Sequence, residues 1–269
     1  MLGVIKMIKN IKIFPNNNSR SIKLAKLIKE QFLRNGFNVV NDNYELGIAV
    51  GGDGSFLRMV KDNNFNSDIY YIGVNSGHLG FLQELKESDI NLFIHELINN
   101  KYKVEEIGIQ ETVVNHDRET SHFYSLNDIV VRSQDLKIVK LNISFDKDYL
   151  ETFAGDGVLI ATSTGSTAYN TSLGGSIVYN TFKSLQITPI APMSSSSYRS
   201  LISSVIIPDK MVIKIEPVNN NNLIIQIDGE NKIYNNTESI ETKIDKKQIK
   251  CMRLSHYNFP QKINDKLLK

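Results

Sequence analysis

The chain has 269 residues, 41% of them hydrophobic and 22% charged, a composition that suits one large or two small globular domains and excludes disorder over most of its length. Its 31 basic and 29 acidic residues leave a net charge of +2, too little to attract nucleic acid or an anionic membrane. A single cysteine excludes an internal disulfide and a zinc site built on thiolates, and lysines at positions 6, 9 and 12 interrupt any signal-peptide core, so we expect a cytoplasmic protein.

Strands and helices alternate in the pattern of the first hundred residues. A strand is predicted over residues 7–14. The helix that follows has apolar residues every three to four positions, and Ser19 or Ser21 can cap its start. Three more strands (37–40, 46–50 and 69–74) and two helices (55–61 and 89–98) complete the series. This alternation predicts a doubly wound α/β domain over residues 1–100.

Short β-like runs replace the helical periodicity after residue 100. They cover residues 103–115, 123–131, 138–145, 150–162, 211–215, 223–227 and 248–254. We therefore expect a β-rich domain over residues 101–256, followed by a short basic tail, 257–269, that packs on the first domain. The predicted fold class is an α/β N-terminal doubly wound domain plus a β-rich C-terminal domain.

The first segment suited to chemistry is a glycine-rich turn, Gly51–Ser55 (GGDGS), between a predicted strand and a predicted helix. Backbone N–H groups at a helix start attract phosphate, and glycines let the backbone approach it closely. Asp53 among them can orient a hydroxyl, accept its proton, or bind the magnesium that accompanies phosphates. A tight turn with Asp53 as a helix cap is an equally good interpretation of this segment alone.

A second glycine turn, residues 73–81 (GVNSGHLGF), follows the next predicted strand. Because the carboxyl ends of neighbouring parallel strands meet at one edge, both turns should line the same ligand-binding edge of the sheet. Neither turn carries the G-x-G-x-x-G dinucleotide fingerprint or the G-x-x-x-x-G-K-[ST] phosphate loop.

Two further segments of the β-rich part are unusually polar. Asn127 and Asp128 interrupt an apolar strand, so they require a partner or a ligand. Residues 155–175 carry glycines and hydroxyl groups that suit hydrogen bonding to a ribose, an amide or a phosphate, and Tyr169 there can stack on a base. Asp156 lies between two glycines, as Asp53 does. A serine-rich turn without a ligand is the alternative interpretation.

Five motifs, in this order and spacing, resemble those of the NAD kinases, the enzymes that make NADP. They are GGDGS from 51, GHLGF from 77, ND from 127, GDGVLIATSTGSTAY from 155 and IDGE from 227. GGDG is shared with lipid kinases and phosphofructokinases, whereas GDG followed by TGSTAY is specific to NAD kinases. The resemblance covers about residues 8–256. It implies an N-terminal α/β domain, a C-terminal β-rich domain, and NAD in the cleft between them.

The resemblance also implies an activity, which is phosphoryl transfer from ATP or polyphosphate to the 2′-hydroxyl of the adenosine ribose of NAD. Magnesium would be held mainly by the donor phosphates, without a metal site on the protein. The family forms homodimers or homotetramers, which implies active sites that draw on two subunits. Use of NADH and feedback by NADP stay open.

Residues on the matching motifs receive roles from the resemblance. Asp53 would be the base facing the 2′-hydroxyl, with Gly54 beside it. The other matched residues would bind the dinucleotide: Asn127 and Asp128 at ribose hydroxyls, Phe81 near the adenine, Thr164, Thr167, Ala168, Tyr169 and Ser172 around the adenine pocket, and Asp156, Ala191, Asp228 and Glu230 at the nicotinamide half. The sequence departs from the family with Ser55, Asp128 and Ser163, and with Ala154 where an arginine is frequent.

Two other functions compete with this one. A lipid kinase of the same superfamily would need an apolar entry groove, whereas TGSTAY and the Asn127–Asp128 pair favour a nucleoside. A non-catalytic protein that binds NAD or NADP would keep the pocket, but it would have no need for Asp53.

Overall fold

The computed structural model describes residues 8–77, 80–194, 199–218 and 221–268. The first elements in chain order are β1 (Asn10–Pro15), α1 (Ser19–Arg34), β2 (Asn38–Val39), β3 (Leu46–Gly51), α2 (Asp53–Asp62), β4 (Tyr70–Asn75), α3 (Ile90–Ile98), β5 (Lys103–His116), β6 (Glu119–Ser125), β7 (Asp128–Ser133) and β8 (Val139–Phe145). The chain continues with β9 (Asp148–Gly155), β10 (Gly157–Thr162), α4 (Tyr169–Ser172), β11 (Ser184–Ile190), β12 (Val205–Pro208), β13 (Ile213–Pro217), β14 (Leu223–Ile227), β15 (Glu230–Tyr234), β16 (Thr237–Arg253) and α5 (Phe259–Ile263). Short 3-10 turns at Glu87–Asp89 and Gly165–Thr167 and a π-helical segment at Asn264–Leu268 accompany them.

The chain divides into two units. The first contains the residues up to Ile107 together with those from Gln248 onward, and the second is Gly108–Lys247. The chain passes from one unit to the other inside the long strands β5 and β16, so neither crossing coincides with a loop. The sequence pattern changes near residues 100 and 256 instead, because periodicity reports the end of a helix and the end of a strand rather than where contacts regroup.

The first unit is a parallel sheet in the order β2-β1-β3-β4-β16. The helix α1 buries Leu24, Ala25, Ile28 and Phe32, one apolar face at helical spacing, into the core of this unit. Its cap is Asn18, whose side chain accepts the Ser21 N–H at 2.8 Å. The prediction of Ser19 or Ser21 as the cap is therefore wrong, and the Ser21 hydroxyl instead hydrogen-bonds that of Ser76 at 2.8 Å.

The second unit is built of antiparallel strands. One sheet has the order β12-β11-β10-β7-β14-β15, while β16, β13, β8 and β9 pair in that order and β5 pairs with β16 and β6. Alternate apolar residues fill its core, among them Ile129, Val131, Ile143, Ile160 and Ile215. The structure thus confirms the predicted fold class, an α/β unit and a β-rich unit.

Two strands predicted as continuous are each divided in the second unit. The run 123–131 is interrupted at Leu126–Asn127, between β6 and β7, and the run 150–162 is interrupted at Asp156, between β9 and β10. Each interruption contains a polar residue, Asn127 or Asp156, that the motifs indicate. No helix in the described ranges is long and apolar enough to cross a membrane.

Candidate functional site

Asp53 lies at the carboxyl edge of the parallel sheet, where β3 ends and α2 begins. Gly52 immediately precedes the helix. Its backbone is extended, and no side-chain hydrogen bond caps the start of the helix. The Asp53 carboxylate accepts the N–H group of Phe81, the last residue of the second glycine turn, at 2.8 Å and that of Leu82, the next residue, at 3.0 Å. The two turns therefore meet at one edge, as predicted. The side chain of Asp53 joins them instead of capping its own helix.

Close packing at this edge depends on small residues. A Cβ atom on Gly80 would lie 1.7 Å from Oδ1 of Asp53, so any larger residue would displace the carboxylate. Gln83 adds a second connection, because its Nε2 donates to the carbonyl of Gly52 at 2.6 Å. Residues 78 and 79 of this turn lie outside the described residues. Gly54 is exposed, while Asp53 and Phe81 are half-buried, so all three are open to a ligand.

A buried network of charged side chains, which no sequence pattern predicts, includes Glu84 next to this edge. Arg253 is 1% exposed, and its guanidinium binds Glu105 with N–O distances of 2.8 and 2.7 Å. Glu84, two residues after Leu82, lies 3.8 Å from Arg253 and 3.4 Å from the Lys262 ammonium. Burial, and then the neighbouring Arg253 cation, lower the pKa of Lys262 to about 8. No local pattern reveals such a network, because Glu105 is 148 residues from Arg253 and Glu84 is 178 residues from Lys262.

In the second unit, three backbone amides surround the carboxylate of Asp228. Oδ2 accepts the Leu126 N–H at 2.8 Å, and Oδ1 accepts the N–H groups of Asn127 at 2.7 Å and Asp128 at 3.2 Å. The Asp228 N–H returns a hydrogen bond to the carbonyl of Asp128 at 3.0 Å. The IDGE and ND motifs are therefore brought together, although the two strands that carry them are about 100 residues apart.

Asp128 and Asn127 differ in how their side chains are held. Asp128 is 5% exposed, and burial, followed by the charge of Asp228, raises the pKa of its carboxyl to about 7. Oδ1 of Asn127 is buried without a hydrogen-bond partner among the described residues. A buried amide oxygen without a partner is costly, so this atom is a good candidate for a contact with a ligand hydroxyl.

Most hydroxyl groups of the segment 162–172, which contains TGSTAY (164–169), bind the protein itself. Thr162 donates to the carbonyl of Leu126 at 2.6 Å, Ser166 to that of Ser163 at 2.6 Å, and Thr167 to that of Thr164 at 3.3 Å. Ser163 donates to the carbonyl of Phe182. Thr164 and Thr167 are buried, whereas Ala168 is half-buried and Ser172 is exposed. The segment is therefore a rigid polar wall, and only part of it is open to a ligand.

Tyr169 presents an aromatic ring on this wall. The residue is 37% exposed, and its hydroxyl accepts a hydrogen bond from Nη2 of Arg132 at 2.6 Å. Arg132 also lies over the ring, with its Cζ 5.9 Å from the centroid. This arginine in β7 fixes the ring orientation, and the sequence analysis did not identify it, because an arginine in a strand resembles an ordinary surface residue.

The GDG turn lies beside Ala191. A Cβ atom on Gly155 would lie 2.7 Å from the carbonyl oxygen of Ala191, and the Asp156 N–H donates to Ile190 at 3.0 Å. Asp156 is exposed and Ala191 has a positive φ of 44°, so the structure brings both predicted residues to one corner of the second unit. Glu230, the first residue of β15, is exposed beyond the Asp228 turn.

Groups of three or more His, Cys, Asp or Glu side chains that could hold a metal ion do not occur among the described residues. The cysteine, Cys251, is fully buried, and burial raises its pKa to about 12, so it is a poor nucleophile. The polar groups available for chemistry are thus the Asp53 carboxylate at the two glycine turns and the side chains of Asn127 and Asp128 beside Asp228.

Two family models match this chain. Residues 8–102 match the ATP-NAD kinase N-terminal domain, and residues 126–248 match the ATP-NAD kinase C-terminal domain. The NAD kinase of Finegoldia magna is 39% identical over 241 residues, which are 86% of this chain and 88% of that relative. NAD kinase 2 of Halalkalibacterium halodurans is 30% identical over 263 residues, 96% of this chain and 98% of the relative. None of these matches supports a lipid kinase.

Solved structures agree on the fold. Yeast NADH kinase complexed with NADH superposes with a TM-score of 0.82 at 21% identity, covering 98% of this chain and 88% of the other. An NAD kinase from Archaeoglobus fulgidus in complex with ATP gives 0.77 at 19% identity, covering 96% and 97%. With both domain models matched in order and relatives similar over nearly their whole length, the chain belongs to the NAD kinase family.

Proposed function

We propose that this NAD kinase transfers the γ-phosphoryl group of ATP to the 2′-hydroxyl of the adenosine ribose of NAD and so makes NADP. In this step the 2′-oxygen forms a bond to the γ-phosphorus, the bond to the bridging oxygen breaks, and ADP leaves. The proton of the hydroxyl passes to Asp53. The observation that carries the proposal is the Asp53 carboxylate, fixed by two amides where both glycine turns meet.

Catalysis of this kind needs positioning more than covalent chemistry. The transition state of phosphoryl transfer is loose, so a held hydroxyl, an aligned donor and nearby positive charge supply most of the rate. The N–H groups at the start of α2 and the glycines around Asp53 suit the donor phosphates. Asp53 orients the hydroxyl and accepts its proton as the bond to phosphorus forms.

The dinucleotide is proposed to lie against residues that the resemblance indicates. Asn127 and Asp128 hold ribose hydroxyls, and the unpartnered oxygen of Asn127 supports this role. Phe81, Thr164, Thr167, Ala168, Tyr169 and Ser172 surround the adenine, and Asp156, Ala191 and Glu230 face the nicotinamide half. The exposed, arginine-held ring of Tyr169 supports stacking on a base.

Magnesium, the donor and the assembly complete the proposal. Mg²⁺ keeps several waters and binds nucleotide phosphates readily, so we propose that it arrives with ATP and neutralises the transferred charge. Polyphosphate offers the same phosphate chemistry and is the second candidate donor. A homodimer or homotetramer and a cytoplasmic location are also part of the proposal, the latter because a single buried cysteine suits a reducing compartment.

The test is the Asp53→Asn variant, which keeps the shape of the side chain and removes its basic carboxylate. We expect kcat to fall by about 10²- to 10⁴-fold while the Kd for NAD changes little, measured by coupled NADP formation and by calorimetry. The new NH₂ group can face the Phe81 N–H, and two facing donors would destabilise the fold. Thermal unfolding is therefore measured as well.

Asp62→Asn, the same change at the exposed far end of α2, is the matched control and should keep wild-type turnover. Turnover of Asp53→Asn close to that of the wild type would remove Asp53 from the reaction. A wild-type protein that forms no NADP from ATP or polyphosphate with Mg²⁺ would contradict the proposed function itself.

A further inference from the structure

The Asp228 carboxylate is largely consumed by the protein backbone. A carboxylate has about four lone-pair sites, and three of those on Asp228 accept consecutive amides, those of Leu126, Asn127 and Asp128. The backbone of Asp228 itself has a positive φ of 46°, a conformation that Asp and Asn adopt more readily than most residues. This leaves little capacity for a direct hydrogen bond to the nicotinamide half, the role that the family resemblance implies.

The same turn is held from its other side by Thr162. The Thr162 hydroxyl donates to the carbonyl of Leu126 at 2.6 Å, and its N–H donates to the carbonyl of Asn127 at 2.9 Å. Gly165 packs directly on this backbone, since a Cβ there would lie 1.9 Å from the backbone carbonyl oxygen of Asn127. The three amides of the turn bind the Asp228 carboxylate, and the carbonyls of Leu126 and Asn127 bind Thr162, so these peptide groups cannot rotate without losing hydrogen bonds.

The buried Oδ1 of Asn127, in this fixed turn, has no hydrogen-bond partner within the described ranges. The Cα–Cβ bond of Asn127 takes its direction from the backbone N and C atoms on either side, so fixing the two flanking peptide groups fixes where the side chain starts. Without Asp228, three buried or half-buried N–H groups would lose their acceptor, and the turn would reorganise to recover one.

We propose that Asp228 is a positioning residue for NAD binding: its carboxylate fixes the 126–128 turn so that Asn127 is aimed at the ribose. The inference rests on the proposed function, because it assigns Asn127 to NAD. It differs from a ligand role for Asp228 in a measurable way. A positioning residue affects every ligand that Asn127 binds, whereas a nicotinamide contact affects only ligands with a nicotinamide.

The experiment measures the Kd values of NAD and of ADP-ribose, which lacks the nicotinamide, by calorimetry on the full chain. We expect Asp228→Ala to weaken both ligands equally, by about tenfold, with kcat at saturating NAD changed much less than KM. Asp228→Asn keeps one oxygen that can accept amides, so it should restore part of the affinity for both. Asp148→Ala, an exposed aspartate of the same unit, is the matched control and should bind like the wild type.

A double-mutant cycle with Asn127→Ala supplies the second measurement. When Asp228 acts through Asn127, removing Asn127 in the Asp228→Ala background should cost little further affinity. Additive losses, or a loss confined to NAD, would overturn the inference and restore a direct contact. If Asp228→Ala does not fold, Asp228→Asn is measured alone and must weaken NAD and ADP-ribose by the same factor.

These outcomes are separable from failure of the proposed function. A wild-type chain that binds neither NAD nor ADP-ribose would contradict the function. A wild-type chain that makes NADP, together with an Asp228→Ala chain that binds ADP-ribose normally, would contradict only the positioning role.

Discussion

The Asp128 carboxyl combines deep burial with a neighbouring negative charge, and these two causes act in the same direction. Burial removes water from the charged form, and Asp228 adds electrostatic repulsion, so the pKa rises from 3.8 to about 7. Near neutral pH the group is therefore close to half protonated. Its hydrogen-bonding character, donor or acceptor, changes within the pH range of ordinary assays.

This raised pKa predicts a pH-dependent stability. An acid whose pKa is higher in the folded state favours folding when protonated, so stability falls as pH rises from about 4 to about 7 and then levels off. Asp128→Asn removes the titration, and we expect it to stabilise the fold by about 1–3 kcal/mol at pH 8 and hardly at all at pH 4. Urea unfolding followed by circular dichroism at both pH values measures the difference.

Asp148→Asn removes an exposed carboxylate from the same unit and should change stability little at either pH. An Asp128→Asn protein whose stability followed the wild-type pH curve would show that Asp128 titrates normally.

The glycine-rich and polar motifs were enough to predict Asp53, Asp228 and Asn127 as site residues, and the structure places all three at turns. Their partners were not predictable. Asp53 binds amides 28 and 29 residues away, and Asp228 binds amides about 100 residues away, distances over which no periodicity extends. Short-range patterns locate polar residues in unusual positions, but only the tertiary fold decides which backbone groups they face.

At the scale of elements, apolar patterning predicted most strands but missed β11, β12 and β15. Strand β11 is a clear case, because Gln186 and Thr188 are both 1% exposed. Gln186 accepts the Ser176 N–H at 2.8 Å, and Thr188 donates to Asn170 at 2.7 Å. Leu185 and Ile187 alternate with these polar residues, but two apolar positions form too short a pattern to predict a strand, and the partners of the buried polar side chains lie outside the strand.

The ion network around Arg253 predicts the largest stability effect in the C-terminal segment. Arg253→Met leaves the carboxylates of Glu105 and Glu84 in the interior with less positive charge, and we expect a loss of about 3–5 kcal/mol. Urea unfolding at pH 7 measures this loss. Circular dichroism is the suitable signal, because the sequence contains no tryptophan for fluorescence.

Arg34→Met is the matched control, since Arg34 pairs with Glu30 at 3.6 Å on the surface of α1 with 77% of its side chain exposed. It should cost at most about 0.5 kcal/mol. Equal effects of the two substitutions would mean that the buried network contributes no more than a surface pair.

At the scale of the whole molecule, we expect a homo-oligomer in which each site uses Asp53 of one subunit and Asp156 of a neighbour. Co-expression of an Asp53→Asn chain with an Asp156→Asn chain should then restore about a quarter of wild-type activity in dimers, since half of the pairs are mixed and each mixed pair has one intact site. NADP formation by the unfractionated co-expressed chains provides the measurement, and mixed dimers isolated through two different tags should reach about half of wild-type activity.

Co-expression of two differently tagged Asp53→Asn chains is the control and should restore no activity. Two impaired variants whose purified mixed oligomer stays inactive would indicate that each subunit works alone.

The parallel sheet cannot be completed until the end of the chain has been synthesised. Strand β4 pairs through Tyr70 and Tyr71 with Lys250 and Cys251, residues that the ribosome adds long after β4 has emerged. At about 5–20 residues per second, one side of β4 has no partner strand for roughly 10 to 40 s. The contiguous unit Gly108–Lys247 is complete before that. A chain that ends near residue 247 would thus carry all residues of the β-rich unit together with a β4 strand that lacks one neighbour, the kind of edge that chaperones bind and that aggregates extend.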